Sequence, residues 1–425
     1  MPLTANVSPA GAIAAIVLAA GYSARMGTFK PLLPFGGRTA VGHAVASLRE
    51  AGVRRIHAVT GNLADLLAPE LAALGVTHVH NANFAKGMFT SVQAGVASLP
   101  ADVEGFLLLP VDVTLVRPST TAQVLRMAAE TRAAIVHPVF RGKRGHPPFI
   151  GRALFDEILR SDGEGGLRAI LARHEHDACE VAVFDRGCLL DMDCLADYRQ
   201  LLALLPHRHV PDAEECEAML EAAATPEPVR RHCRAVAALA TGLARRLNEA
   251  GEGLDAHSVR AAALLHDIAK GRPHHAEAGA GLVRGYGFPE VADAVACHMS
   301  IGFEAGRVDE GAVLYLADKL IQEETRVTLE ARFAPALARF AGEPEALAGA
   351  KRRYADAEAI LAAVESRIGP VDRMGVVQHK DRRLLPAPCP LRRRDRVARP
   401  SLRSGVPSRI GRKAEPALAK AGDEG

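Results

Sequence analysis

Short apolar runs and amphipathic helical stretches alternate along the first half of this chain, and that alternation limits the fold more than any other feature. The runs are IAAIVLAA from Ile13, RIHAVTG from Arg55, VTHVHN from Val76, GFLLLPVDV from Gly105, AAIVHPVF from Ala133 and EVAVFD from Glu180. Between them lie TAVGHAVASLREAG from Thr39, LADLLAPELAALG from Leu63, and helical stretches over residues 119–131 and 152–159. Val, Ile and Leu runs closed by Gly or Asn read as strands buried on both faces. The pattern therefore predicts an α/β domain over residues 12–205, built on a mainly parallel sheet whose ligands gather at the carboxyl ends of the strands.

Beyond PHRHVP, residues 206–211, the alternation stops. Residues 212–368 read throughout as helices rich in Ala, Leu and Glu, which predicts a second, all-α domain. Residues 369–425 mix Pro, Arg, Ser and Gly without periodicity and read as a basic, disordered tail. The formal net charge is +3, but residues 371–425 carry 14 Lys and Arg against 6 Asp and Glu, so the rest of the chain is net acidic. The tail's triple arginine, Arg392, Arg393 and Arg394, reads as a solvated charge run. With no Trp and only 5 Tyr, the chain lacks the stacking residues of single-strand binders, and no specific nucleic-acid partner is expected.

Cys179, Cys188, Cys194, Cys216, Cys233, Cys297 and Cys389 are odd in number and never spaced as CxxC, which argues for a reducing compartment. Residues 10–20 are nearly all apolar, yet no Lys or Arg precedes them and they run directly into GYSARMGTFK; they read as a buried strand and not as a cleaved leader. No stretch approaches the ~20 apolar residues of a spanning helix. A cytoplasmic chain with no membrane partner is the expectation.

Two constellations carry chemistry. The first is LAAGYSARMGTFK, which follows the first strand. Small residues at Ala19, Ala20 and Gly21, after Leu18, let backbone amides approach a base or phosphate, and Arg25 and Lys30 bring two cations to the same loop. This loop resembles that of the molybdenum cofactor cytidylyltransferases and the related guanylyltransferases, a resemblance covering roughly residues 12–200. It implies a Rossmann-like nucleotidyltransferase fold in which Leu18, Ala19, Ala20 and Gly21 hold the nucleotide while Arg25 and Lys30 neutralise the triphosphate. Cytidylyl members typically read Leu-Ala-Ala-Gly and guanylyl members Leu-Ala-Gly-Gly, so Ala20 points to CTP.

Three further segments fit the resemblance. NANFAKGMFTSV places Asn81, Gly87, Met88 and Ser91 near the nucleotide or acceptor. LLLPVDV puts Asp112 at the end of a buried strand, and DMDCLADY supplies Asp193; the resemblance makes both ligands of Mg²⁺. KRGHPPF matches a Gly-His-Pro turn, which sets His146 near the pterin acceptor. The chain departs from the family at Thr114, where Pro is usual, and at Cys194 and Leu195, where Thr-Pro is usual.

The second constellation is AALLHDIAKG, with adjacent His266 and Asp267 ending an apolar helix. Burying both is costly unless a cation binds between them, and imidazole with carboxylate suits Mn, Fe, Zn, Ni or Co. The segment resembles the HD phosphohydrolase superfamily over about residues 225–335. The resemblance assigns His232, His266, Asp267 and Asp318 as metal ligands, Lys270 as the residue facing the substrate phosphate, and His275 and His298 as ligands of a second metal. His207, His209 and His274 read as solvated.

Together these readings predict a nucleotidyltransferase that moves a cytidylyl group from CTP to the phosphate of molybdopterin with release of pyrophosphate, fused to a metal-dependent HD phosphohydrolase. Arg25, Lys30, Asp112 and Lys270 are the expected catalytic residues. Two alternatives stay open: a sugar or polyol phosphate as acceptor, and an HD domain that senses nucleotide without turnover. A molybdoenzyme or cofactor chaperone is a possible protein partner.

Overall fold

The computed structural model describes residues 12–371 apart from Ala24 and Ala305. The expected tail falls almost wholly outside these described residues. Within them, β1 (Ile13–Ala19) is followed by a hairpin of β2 (Pro34–Phe35) and β3 (Arg38–Thr39) that leads into α1 (Ala40–Glu50). Then come β4 (Arg55–Thr60), α2 (Ala64–Ala73), β5 (Thr77–His80), α3 (Met88–Ala97), β6 (Gly105–Pro110), α4 (Pro118–Thr131) and β7 (Ile135–Phe140). Two short strands, β8 (Lys143–Arg144) and β9 (Phe149–Gly151), precede α5 (Phe155–Arg160), α6 (Gly166–Arg173), β10 (Ala178–Ala182) and α7 (Leu195–Leu204).

The sheet has eight strands in the order β10-β7-β9-β6-β1-β4-β5, with β8 paired to β7. Pairings β1–β4, β1–β6, β4–β5 and β7–β10 are parallel, as the alternation predicts. β9 runs antiparallel to both β6 and β7, so the sheet is mixed at that point. Along β1, Ala15, Val17 and Ala19 enter one core while Ala14, Ile16 and Leu18 enter the other, the period-two signature of a strand covered on both faces. Burying each of the larger side chains contributes roughly 1.5–3 kcal/mol. From β1 the chain crosses to β4 on one side, and it returns to β6 on the other. The carboxyl ends of β1 and β6 therefore open a crevice at a topological switch point, and the glycine loop and Asp112 follow those two strands.

The remaining described chain is helical: α8 (Ala213–Ala222), α9 (Glu227–Glu249), α10 (Ala256–Leu265), α11 (His275–Gly285), α12 (Pro289–Cys297), α13 (Glu310–Lys319), α14 (Leu329–Arg339) and α15 (Pro344–Ile368). One hairpin, β11 (Ile321–Gln322) with β12 (Thr325–Arg326), interrupts what the sequence reads as helices alone. Its turn holds Glu323 at φ 55°, and the carbonyl exposed there is used by the second site.

Residues 206–211 are not a free linker. Val210 and Pro211 are buried, and His207 stacks on His257 with centroids 3.7 Å apart, so His207 is half-buried and not solvated as expected. His209 is exposed, within 3.6 Å of Asp255 and 3.7 Å of Glu290, and His274 is exposed too. Sheet and helices share one continuous apolar core. Arg117, five residues past Asp112, fastens the two parts: it donates to Asp185 at 3.0 Å and to Glu215 on α8 at 2.7 and 2.9 Å, and it lies over the Phe288 ring. Burial opposes its charge, but Asp185 and Glu215 outweigh that and raise its pKa above the ordinary arginine value.

Candidate active sites

The residues expected to hold a nucleotide converge at the carboxyl edge of β1 and β6. Ser23 takes a positive φ of 54°, and its hydroxyl accepts from the Lys30 backbone N–H at 3.1 Å, which folds the loop back on itself. That fold aims the Lys30 side chain inward, where its ammonium donates to Asp112 at 3.2 Å and to Asp193 at 3.3 Å. Arg25 makes a two-pronged contact with Asp193 at 2.9 and 3.1 Å. Two carboxylates distant in sequence thus meet on one ammonium. Lys30 is largely buried, the aspartates are partly open and Arg25 is exposed, so the cluster grades from fixed to mobile toward solvent.

Backbone contacts hold the carboxylates in place. The Met192 N–H donates to the Asp112 carbonyl at 2.9 Å, stitching the two aspartate loops together. Asp197, buried on α7, accepts from the Asp193 and Cys194 N–H groups at 3.1 and 3.0 Å. Cys194 occupies the N-cap of α7, so the departure from Thr-Pro leaves Asp193 anchored. On the other flank the His43 ring donates to the Thr114 carbonyl at 2.9 Å and takes a hydrogen bond from Arg208 at 3.1 Å. Burial, with Arg208 nearby, lowers the His43 pKa to about 4, which keeps the ring neutral and both nitrogens in use.

The other expected nucleotide residues differ in what surrounds them. A side chain at Gly21 would meet no protein atom within 4 Å, so the space above it is open to a ligand. Leu18, Ala19 and Ala20 are buried beneath it. Asn81 and Ser91 are buried and bonded to each other at 2.9 Å, and Asn81 also bonds Thr90 and the Asn83 N–H; their hydrogen bonds brace the loop between β5 and α3. Gly87, at φ 118°, gives that loop a bend that L-residues rarely adopt. Met88 is exposed. His146 is half-buried with Nδ1 unpartnered; burial lowers its pKa, while the backbone at Leu108 and the charges of Asp112 and Asp191 oppose the shift.

The second constellation closes in the helical region. His232 projects from α9, His266 and Asp267 follow α10, His275 begins α11, His298 follows α12, and Asp318 lies on α13. His232 Nδ1 lies 2.8 Å from the Glu323 carbonyl, His266 Nδ1 2.8 Å from that of Ala263, and His298 Nδ1 2.7 Å from that of Val295. A carbonyl can only accept, so each Nδ1 carries a proton and each ring turns its Nε2 inward toward the carboxylates. His232 Nε2 is 3.2 Å from Asp318, while His266 Nε2 is 3.6 Å from both Asp267 and Asp318. His275 and His298 reach the other oxygen of Asp267 at 3.3 and 3.5 Å, and their Nε2 atoms stand 3.3 Å apart.

This arrangement suits a cation. His266 Nε2 is fully buried with no hydrogen-bond partner, and lone pairs facing carboxylates repel unless a proton or a metal lies between them. Histidines whose far nitrogen is held by a carbonyl are the usual metal-site supports. Two three-residue groups have ligand atoms within 4.8 Å of one another, His232–His266–Asp267 and Asp267–His275–His298, and Asp267 belongs to both.

Electrostatics agree with that fit. Burial would raise the Asp267 pKa, yet the hydrogen bond from His298 and the charges of His266 and Lys270 hold it well below the usual range. Asp318 is held low against burial by Lys319, His232 and His266. Burial opposes charge on His266, and the Cys233 sulfur and Asp318 overcome it, so without a metal a proton occupies the inward nitrogen. His275 is lowered by burial and stays neutral. Lys270 bonds Asp267 at 3.0 Å. The sequence reading missed Lys319, whose buried ammonium donates to Asp318 at 2.6 Å and to the His298 carbonyl at 3.2 Å; a lysine next to an aspartate carries no signal of burial. It also missed Asp197, although Cys194-x-x-Asp197 has helix-cap spacing.

The sheet edge thus carries cations and paired carboxylates, and the helical region carries a histidine–aspartate cluster that could hold a metal. Residues 15–178 match the family described as MobA-like NTP transferase domain, and residues 229–322 match the HD domain. The chain therefore carries a MobA-like NTP transferase domain followed by an HD domain. It is 27% identical over 189 residues to a molybdenum cofactor cytidylyltransferase of Escherichia coli (strain K12), covering 44% of this chain and 94% of that protein. It is 36% identical over 110 residues to a molybdenum cofactor guanylyltransferase of Xanthomonas euvesicatoria pv. vesicatoria (strain 85-10), covering 26% and 52% respectively. Among solved structures it resembles Rv0371c of Mycobacterium tuberculosis H37Rv, at 29% identity and TM-score 0.40 over 45% of this chain and 98% of that one. No helix among the described residues is long and apolar enough to cross a membrane.

Proposed function

We propose that the first domain, residues 12–205, transfers a cytidylyl group from CTP to the terminal phosphate of molybdopterin. The observation that carries this reading is Lys30 held between Asp112 and Asp193 beneath an open glycine loop. Hard carboxylate oxygens, two in number and partly exposed, fit Mg²⁺, which keeps several sites for water and phosphate. Asp112 and Asp193 would hold the ion, which when bound lowers the repulsion between anionic nucleophile and triphosphate. Arg25 and Lys30 contribute fixed positive charge to the triphosphate, and Arg25, being exposed, can swing from Asp193 onto it. An oxygen of the acceptor phosphate bonds to the α-phosphorus of CTP as the bond to pyrophosphate breaks. That oxygen is already anionic, so alignment and charge suffice without a general base.

The second domain, residues 212–368, fits a phosphohydrolase whose metal ligands are His232, His266 and Asp267, joined by Asp318 facing His232 at 3.2 Å and His266 at 3.6 Å, with His275 and His298 able to complete a second position through the shared Asp267. What a Mn, Fe, Zn, Ni or Co ion supplies when bound is Lewis acidity and acidification of a water nucleophile. Lys270, on the cavity side, pairs with the substrate phosphate. A regulatory second reading is favoured by one observation: Arg117 ties the loop after Asp112 to α8 and to Phe288 at the start of α12, so a change in the helices can reach the transferase loop.

Labelled CTP and GTP, offered separately with molybdopterin, sugar phosphates and polyol phosphates, test the first assignment. Label from CTP is expected on molybdopterin with one pyrophosphate released per transfer. Label appearing on a sugar or polyol phosphate instead would overturn the acceptor.

A further inference from the structure

Beside the histidine–aspartate cluster lies a cavity of about 200 Å³. One water occupies ~30 Å³ in the liquid, so the space exceeds what a single small anion fills. Asp267 and Asp318 line it with Lys270, Arg332, Arg353 and an apolar patch around Phe333. Lys270 is already paired with Asp267. The two arginines differ from it. Arg332 on α14 and Arg353 on α15 are both half-buried, and among the described residues neither has a carboxylate within ion-pair distance. Arg353 is packed along its own helix: a side chain at Gly349, one turn earlier, would come within 3.4 Å of its Nη1.

A guanidinium stays charged at any physiological pH, so two of them lining one cavity with no carboxylate paired to either repel each other and favour an anion from outside between them. Their planar forks match phosphate oxygens in pairs. Both lie on helices beyond residue 322, where the HD match ends, so they add to the cluster. We propose that Arg332 and Arg353 form a second anion subsite, and that the helical domain takes a nucleoside di- or polyphosphate: one phosphate at the histidine–aspartate cluster and Lys270, a further phosphate on the arginines, the organic portion against Phe333. This rests on the phosphohydrolase reading of the same cavity.

Calorimetric titration of the full-length chain with inorganic tripolyphosphate and with orthophosphate tests the subsite. Any tripolyphosphate held at the transferase site contributes equally to wild type and variant, so the difference reports the cavity. Replacing both residues, Arg332→Ala with Arg353→Ala, is expected to weaken one tripolyphosphate-binding event by about tenfold or more, and to change orthophosphate binding far less. With Mn²⁺ present, kcat/KM for ATP should fall about tenfold relative to that for p-nitrophenyl phosphate. Superimposable tripolyphosphate isotherms for wild type and variant would overturn the proposal. Should the alanine pair lower the melting temperature, Arg332→Gln with Arg353→Gln gives the same comparison with longer side chains kept in place. A wild type that hydrolyses no phosphate ester with any divalent metal would count against the phosphohydrolase reading, and the titration would still decide the subsite.

Discussion

The two clusters are built in opposite ways. At the edge of the sheet, charged side chains satisfy one another: Lys30 bridges two aspartates and Arg25 grips one of them from solvent. In the helical domain, backbone carbonyls hold the outer nitrogens of His232, His266 and His298, and the inner nitrogens are left facing carboxylates. The first arrangement is self-neutralising and can open to admit a large anionic substrate. The second has a deficit of positive charge that only a proton or a metal removes. Side-chain ion pairs near solvent are worth little to stability, whereas a buried unpaired nitrogen is costly, so the two sites should answer differently to the same kind of damage.

The largest effect is expected at the second site. His266→Ala should abolish stoichiometric transition metal, measured by elemental analysis, and lower the proposed phosphohydrolase activity by a factor of about a thousand or more, with the proposed nucleotidyl transfer within about twofold of wild type. Retained metal would show that the other ligands suffice. Next comes the fastener between the parts. Arg117→Ala strands Asp185 and Glu215 without their cation, and a loss of about 3–5 kcal/mol is expected in urea unfolding. A loss under ~1 kcal/mol would mean that water replaces the guanidinium.

Acid should produce a smaller effect. His43 and His137 are both lowered to about 4, chiefly by burial. The unfolded rings bind protons near pH 6.5, so the folded state is the one that resists protonation. Their contribution is fully present above pH 6.5 and is lost as pH falls through 4, roughly 2 kcal/mol each after allowance for solvent screening. Unfolding followed at pH 7 and pH 4.5, with His43→Gln as reference, measures it; equal stability at the two pH values would contradict the burial argument.

What the sequence disclosed follows from which interactions are periodic. IAAIVLAA and GFLLLP announce strands because alternate residues enter two cores, and the HD dipeptide announces a site because two polar residues end an apolar helix. The antiparallel β9, the hairpin that offers the Glu323 carbonyl to His232, and the Arg117 contacts join residues tens of positions apart, and such pairings leave no period. Asn81 and Ser91 were legible as a segment but not in their structural use. The resemblance set them near the nucleotide, and the structure pairs them with each other. Arg332 and Arg353 look like ordinary surface positions on amphipathic helices until the cavity is seen.

A crossed titration tests the contrast most directly: Mg²⁺ with a non-hydrolysable CTP analogue against a chain carrying Arg332→Ala with Arg353→Ala, so that the helical cavity contributes little, and against the same chain with Lys30→Ala or His266→Ala added, with bound transition metal assayed in each. Nucleotide affinity should fall about a hundredfold in Lys30→Ala with metal content unchanged, and metal should vanish in His266→Ala with nucleotide affinity unchanged. Nucleotide binding that survives in Lys30→Ala, or disappears in His266→Ala, would contradict the assignment of the sheet edge as the nucleotide site.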